Sequence, residues 1–149
     1  MRAIVQSDYG SPDVLRLKDV DNPVVKEDEV LVGVKAAAIN VGDVFSMRGS
    51  PWAARLACGV PKPKNYIPGW DMAGRVHAVG NRVIRFQPGD EVFGSSRGSL
   101  AEYVSVAEDD LAMKPTNLAF DQAAAVPTAP LPPFMVFATR GSCGLVRRS

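Results

Sequence analysis

Reactive side chains are scarce in this chain, which holds two cysteines, Cys58 and Cys143, and one histidine, His77, among 149 residues. Two distant thiols without ligand spacing exclude a disulfide framework and a four-cysteine zinc lobe, and they suit reduced thiols in a cytosolic protein. Long apolar runs are missing too. No stretch approaches the ~18 residues of a membrane-crossing helix, and MRAIVQSDYGSP has too few basic and apolar residues for a signal peptide. Charge of one sign is equally lacking: the net charge is +1, which offers no global handle for nucleic acid or a membrane surface. These absences lead to the expectation of a soluble, cytoplasmic protein with neither nucleic acid nor membrane as partner.

What is present is a β rhythm. With 46% hydrophobic and 22% charged residues, the chain fits one globular domain able to bury roughly 68–70% of its unfolded surface. Alternating β-branched and polar residues predict strands over 2–6, 14–20, 30–38, 72–79 and 100–107. Turn chemistry separates them at Tyr9-Gly10-Ser11-Pro12, Asn22-Pro23, Gly80-Asn81 and Pro88-Gly89-Asp90. Gly80 is expected to supply positive φ, Pro88 to preset its turn and Asp90 to serve as a turn residue. Gly69, Ala73 and Gly74 bare the backbone for close approach of a strand or ligand. Residues 43–48 predict a short helix, 49–64 a functional or mobile surface loop carrying Trp52, and Asp121 an N-cap for a second helix.

PGWDMAGRV, then VG, then FQPGDEVFG resemble the catalytic domain of the medium-chain dehydrogenases and reductases, in particular the zinc-independent NADPH:quinone oxidoreductases. Three further motifs occur in the family's order. Asn40-Val41-Gly42-Asp43 resembles its active-site turn, Gly98 to Val104 its next strand, and Asp121 to Thr128 the start of its first interdomain helix. The resemblance covers roughly residues 1–129. It implies a mainly β fold with short helices, α+β in class: a chaperonin-10-like β-barrel catalytic domain without the Rossmann domain. No strand followed by GxGxxG and a helix occurs within the chain.

The same resemblance supplies candidate roles. In zinc alcohol dehydrogenases the active-site turn begins with Cys, a hydroxyl residue lies two positions on, and His-Glu follows the later Gly. Here Asn40, Gly42 and Trp70-Asp71 stand at those places, and neither an amide nor an indole makes a competent zinc ligand. No metal is therefore expected, and His77 reads as structural. The resemblance implies that Asn40 and Asp43 line the nicotinamide side of a cleft, as catalytic and cofactor-binding residues, with the Asn40 amide able to donate and accept. Asp43 has the rival reading of a turn residue that starts a helix. Phe45, Arg48, Trp52 and Trp70 are candidates for binding a planar quinone- or enone-like substrate. Plain packing is their alternative, and Trp52 serves equally as a cover for the barrel. For Asp71 a structural role is favoured over a place in the cleft.

After Ala129 the text changes. Pro130-Leu131-Pro132-Pro133 forbids the expected helix, and residues 130–149 carry three Arg and no Asp or Glu. The sequence therefore divides into a catalytic domain at 1–129 and an atypical tail at 130–149, read as frame-shifted or disordered, with self-association through its apolar residues as the expected consequence. Three functions follow: the substrate domain of an NADPH-dependent, zinc-independent quinone or enone reductase, inactive and without tight NADPH binding on its own; a stand-alone β-barrel binding or interaction module; and, least favoured, a zinc-type alcohol dehydrogenase.

Overall fold

A computed structural model describes residues 1–50, 52, 55, 60–63 and 67–128. The tail at 130–149, both cysteines and half of the 49–64 loop lie outside the described residues. Seven strands and two short helices carry the rest: β1 (Arg2–Gln6), β2 (Leu15–Asp19), β3 (Glu29–Ala38), α1 (Val41–Arg48), β4 (Asp71–Val79), β5 (Glu91–Ser95), β6 (Tyr103–Ala107), β7 (Leu111–Met113) and α2 (Phe120–Ala124). All pairings are antiparallel. β1 and β2 form a hairpin, and the other five strands form a sheet in the order β6-β3-β4-β5-β7. An isolated bridge between Ala3 and Ala101, flanked by bonds from Ile4 N–H to Leu100 O and Glu102 N–H to Arg2 O, fastens the hairpin to the larger sheet.

The core explains the strand spacing. Val30, Val32, Met72, Val76, Val92, Val104, Val106 and Leu111, alternate residues of five strands, are buried together on one face, and Phe86 from the β4–β5 connection joins them. Removing each such side chain from water contributes about 1.5–3 kcal/mol before entropy is counted. The other face of β4 is covered as well, because Ala123 and Ala124 of α2 pack on Ala73. That corrects the expectation of a half-buried strand over 72–79: Asp71 to Gly74 are all buried, and the alternation begins only at Arg75, beyond the reach of α2.

Local chemistry moves some boundaries. The predicted strand at 14–20 starts one residue late, because Pro12–Val14 form a 3-10 turn with Val14 N–H on Ser11 O. The strand predicted from Leu100 begins at Tyr103, its first residues having turned toward β1. Asp121 is not the cap of α2. The helix starts at Phe120, and the Gln122 side chain accepts from the backbone N–H of Ala119, so Asp121 lies inside the first turn. Gly80 is needed for closeness rather than for positive φ: a Cβ there would sit 2.1 Å from the Lys26 carbonyl oxygen. Gly89 does take positive φ, at 100°, and the Asp90 carboxylate accepts from Gln87 N–H across that turn.

Candidate functional site

Asn40 sits where β3 gives way to α1, and its side chain closes a capping box. Its Oδ1 accepts from Gly42 N–H at 2.7 Å and Asp43 N–H at 3.3 Å, while Asp43 Oδ2 accepts from Asn40 N–H at 2.9 Å. Three backbone donors at the helix start are thereby satisfied. The helix ends at Gly49, which holds φ 60° and stands against the ring of Tyr9. Gln6, fully buried at the end of β1, fixes the far end of α1 by donating Nε2–H to Met47 O at 2.8 Å. Nothing in local sequence periodicity signals that role for Gln6.

Because Oδ1 is committed to the cap, the Asn40 amide nitrogen points the other way. Its Nδ2 donates to Asp71 Oδ2 at 3.2 Å and to Thr128 Oγ1 at 2.9 Å, and the Thr128 hydroxyl donates to the same Asp71 oxygen. The ligand-facing hydrogen-bonding capacity read into Asn40 is thus taken up within the protein. Asp71 is buried at 2% exposure and belongs to this cluster rather than to the barrel backbone alone. Thr128, which sequence reasoning assigned only to a helix start, joins it because α2 docks on β4 and brings the following turn back over Asp71.

The electrostatics are asymmetric. Asp43 and Asp71 are both buried, and each keeps one carboxylate oxygen without a hydrogen-bond partner. Burial pushes the Asp43 carboxyl above its ordinary value and the Asp71 charge adds to that, against the N–H groups of Asn40 and Gly69.

Of the proposed substrate-binding residues, Phe45, Arg48 and Trp52 stand on α1 and the segment after it, and Trp70 directly before β4. Phe45 is 50% exposed and Trp52 72% exposed, so neither is a core residue, and Arg48 is exposed on the last turn of α1. Trp70 is half-buried, with the Arg97 guanidinium 5.2 Å from its ring centroid and its own Nε1 buried without a partner. His77 lies edge-on to Tyr103, ring centroids 5.3 Å apart, where the absence of a side chain at Gly33 leaves room for the Tyr103 ring to cross. Among the described residues no three His, Cys, Asp or Glu side chains cluster as metal ligands. A separate groove of about 350 Å³, lined by Ala3, Ile4, Val34, Ala36 and Leu100 among others, shares no residue with the Asn40 cluster.

Comparisons with known proteins place this geometry. The chain is 42% identical over 140 residues to a tomato 2-methylene-furan-3-one reductase, covering 87% of this chain and 34% of the relative. It is 41% identical to an Arabidopsis thaliana chloroplastic NADPH-dependent alkenal/one oxidoreductase (87% of this chain, 35% of the relative). Among solved structures, the quinone oxidoreductase of Coxiella burnetii matches with a TM-score of 0.78 at 33% identity, over 87% of this chain and 42% of that one. The Escherichia coli quinone oxidoreductase complexed with NADPH matches with a TM-score of 0.74 at 26% identity, over 85% of this chain and 37% of that one. The chain thus spans about a third of the length of these two curated relatives. Residues 26–116 match the alcohol dehydrogenase GroES-like domain, so the chain belongs to that family.

Proposed function

We propose that this chain is the substrate domain, residues 1–129, of a zinc-independent NADPH-dependent oxidoreductase that reduces quinone- or enone-like acceptors. The observation that carries the reading is that Asn40 and Asp71, which stand where the resemblance has the zinc-site Cys and the His-Glu pair, are hydrogen-bonded to each other and to Thr128. An amide, a carboxylate already holding two donors, and a hydroxyl form a poor metal set. They suit a polar, uncharged ring instead. In this reading the exposed Thr128 meets the nicotinamide carboxamide, while Asn40 and Asp43 hold α1 beside it. The cofactor, when bound, supplies the hydride. The protein's part is orientation: Asn40 positions Thr128 and Asp71, and the exposed rings of Phe45 and Trp52 with Arg48 offer a wall for a planar acceptor. Names of the relatives support the acceptor class, and a cytoplasmic location belongs to the same reading.

The test has two arms. Quinone- and alkenone-dependent loss of NADPH absorbance is measured with the chain joined to a nucleotide-binding domain, and metal is quantified in the same sample. Turnover with far less than one zinc per chain is expected. Turnover that needs stoichiometric zinc would refute the reading.

A further inference from the structure

Arg97 is among the guanidinium groups that have no ionic partner within the described residues. Arg2, Arg75, Arg82 and Arg85 each reach a carboxylate, on Glu102, Glu91, Glu27 and Asp109 respectively. Arg97 has none among the described residues, and its contact there is the face of Trp70. Its backbone is clamped. Ser96 N–H donates to Trp70 O at 2.7 Å, Gly98 N–H to Gly69 O at 3.0 Å and Ser99 N–H to Gly69 O at 3.3 Å, with Gly98 at φ 91° completing the turn. A rigid turn therefore presents a cation over an indole immediately before Asp71 in the chain, and among the described residues no acceptor takes its guanidinium N–H groups. Such a fork is geometrically suited to two oxygens of one anion. The ring below holds it flat and limits the entropy lost when an anion arrives.

We propose that Arg97, seated on Trp70, selects planar acceptors that carry an anionic oxygen group, a sulfonate or carboxylate on the ring system. The proposal rests on the reductase reading for the identity of its ligand, and it adds to that reading a preference among acceptors. The anion binds the fork and the acceptor's ring system supplies the remaining contact, so the anionic group adds affinity to a ring that binds more weakly without it. A free inorganic anion makes the first contact only.

The experiment is titration of the 149-residue chain, without cofactor, followed by nitrogen–proton NMR at the Arg97 Nε–H and Trp70 Nε1–H resonances. Three probes are used: anthraquinone-2-sulfonate, its neutral analogue 2-(hydroxymethyl)anthraquinone, and sodium sulfate. The sulfonate is expected to bind about tenfold more tightly than the neutral quinone, the scale of one charge-assisted hydrogen bond. Sulfate should bind far more weakly than either. Arg97→Gln, at an exposed position, is expected to leave the amide spectrum of the fold intact and to abolish the tenfold preference. Equal affinities in the unaltered chain, a preference that survives Arg97→Gln, or sulfate binding as tightly as the sulfonate each overturn the proposal. Because no turnover is measured, loss of the reductase reading leaves these titrations interpretable, and loss of the preference leaves reductase activity untouched.

Discussion

At the scale of single residues, Asn40 does two jobs with one amide. Its oxygen caps α1 and its nitrogen holds Asp71 and Thr128. Asn40→Ala is therefore expected to cost about 1–3 kcal/mol, the lost cap plus a buried carboxylate deprived of a donor, measured by urea unfolding. Activity of the complete enzyme should also fall, through misplacement of Thr128. The carboxylates give opposing pH signatures. Asp43 has a folded value raised first by burial, so its contribution to stability is full below the unfolded value and is lost as pH rises through the folded one. Glu29 is lowered first by its hydrogen bond from Lys26, with Ser105 assisting, so its contribution is present above the unfolded value and is lost as pH falls through the folded one. Melting temperatures followed from acid to neutral pH should show Asp43→Asn removing the first dependence and Glu29→Gln removing the second. Identical profiles for Asp43→Asn and the unaltered chain would mean that Asp43 is not buried as described.

At the scale of elements, close approach decides more than propensity does. Gly74 lies on β4 where a Cβ would stand 2.3 Å from the Gly33 carbonyl oxygen of β3. Gly74→Ala is expected to destabilise by about 1–3 kcal/mol by forcing the two central strands apart. Amide exchange should quicken along Val32 to Ala36 if the strain is local. The strands themselves were legible because their core residues are β-branched and regularly spaced, as Val30 with Val32 and Val104 with Val106 show. β5 and β7 lack a predicted range, β5 because Glu91–Ser95 starts directly at the Pro88-Gly89-Asp90 turn and includes Gly94, and β7 because Leu111–Met113 offers one buried side chain in three residues. The start of α1 came out two residues late because Asn40 had been read only as a ligand-facing group, whereas the Asn-x-x-Asp spacing is itself a capping signal. The pairing of Asn40 with Asp71 and Thr128 joins positions far apart in sequence, and no local pattern carries that information.

At the scale of the whole molecule, the chain holds the substrate side of the proposed reaction and no Gly-rich phosphate turn. Contacts from Thr128 and the α1 edge must offset an association cost of at least ~4 kcal/mol. The 149-residue chain alone is accordingly expected to bind NADPH with a dissociation constant on the order of 1 mM or weaker, as read by calorimetry. Micromolar binding would put the cofactor's anchor inside these residues. The hydrogen bonds at Thr128 have a mechanical side as well. They fasten residue 128, four positions past the end of α2, to the first residue of β4 and to the cap of α1. A load applied beyond residue 128 is borne first by the Asp71 carboxylate and the Asn40 amide. The same three side chains that shape the site are thus its mooring, and a displacement at one end reaches the other with no flexible slack between them.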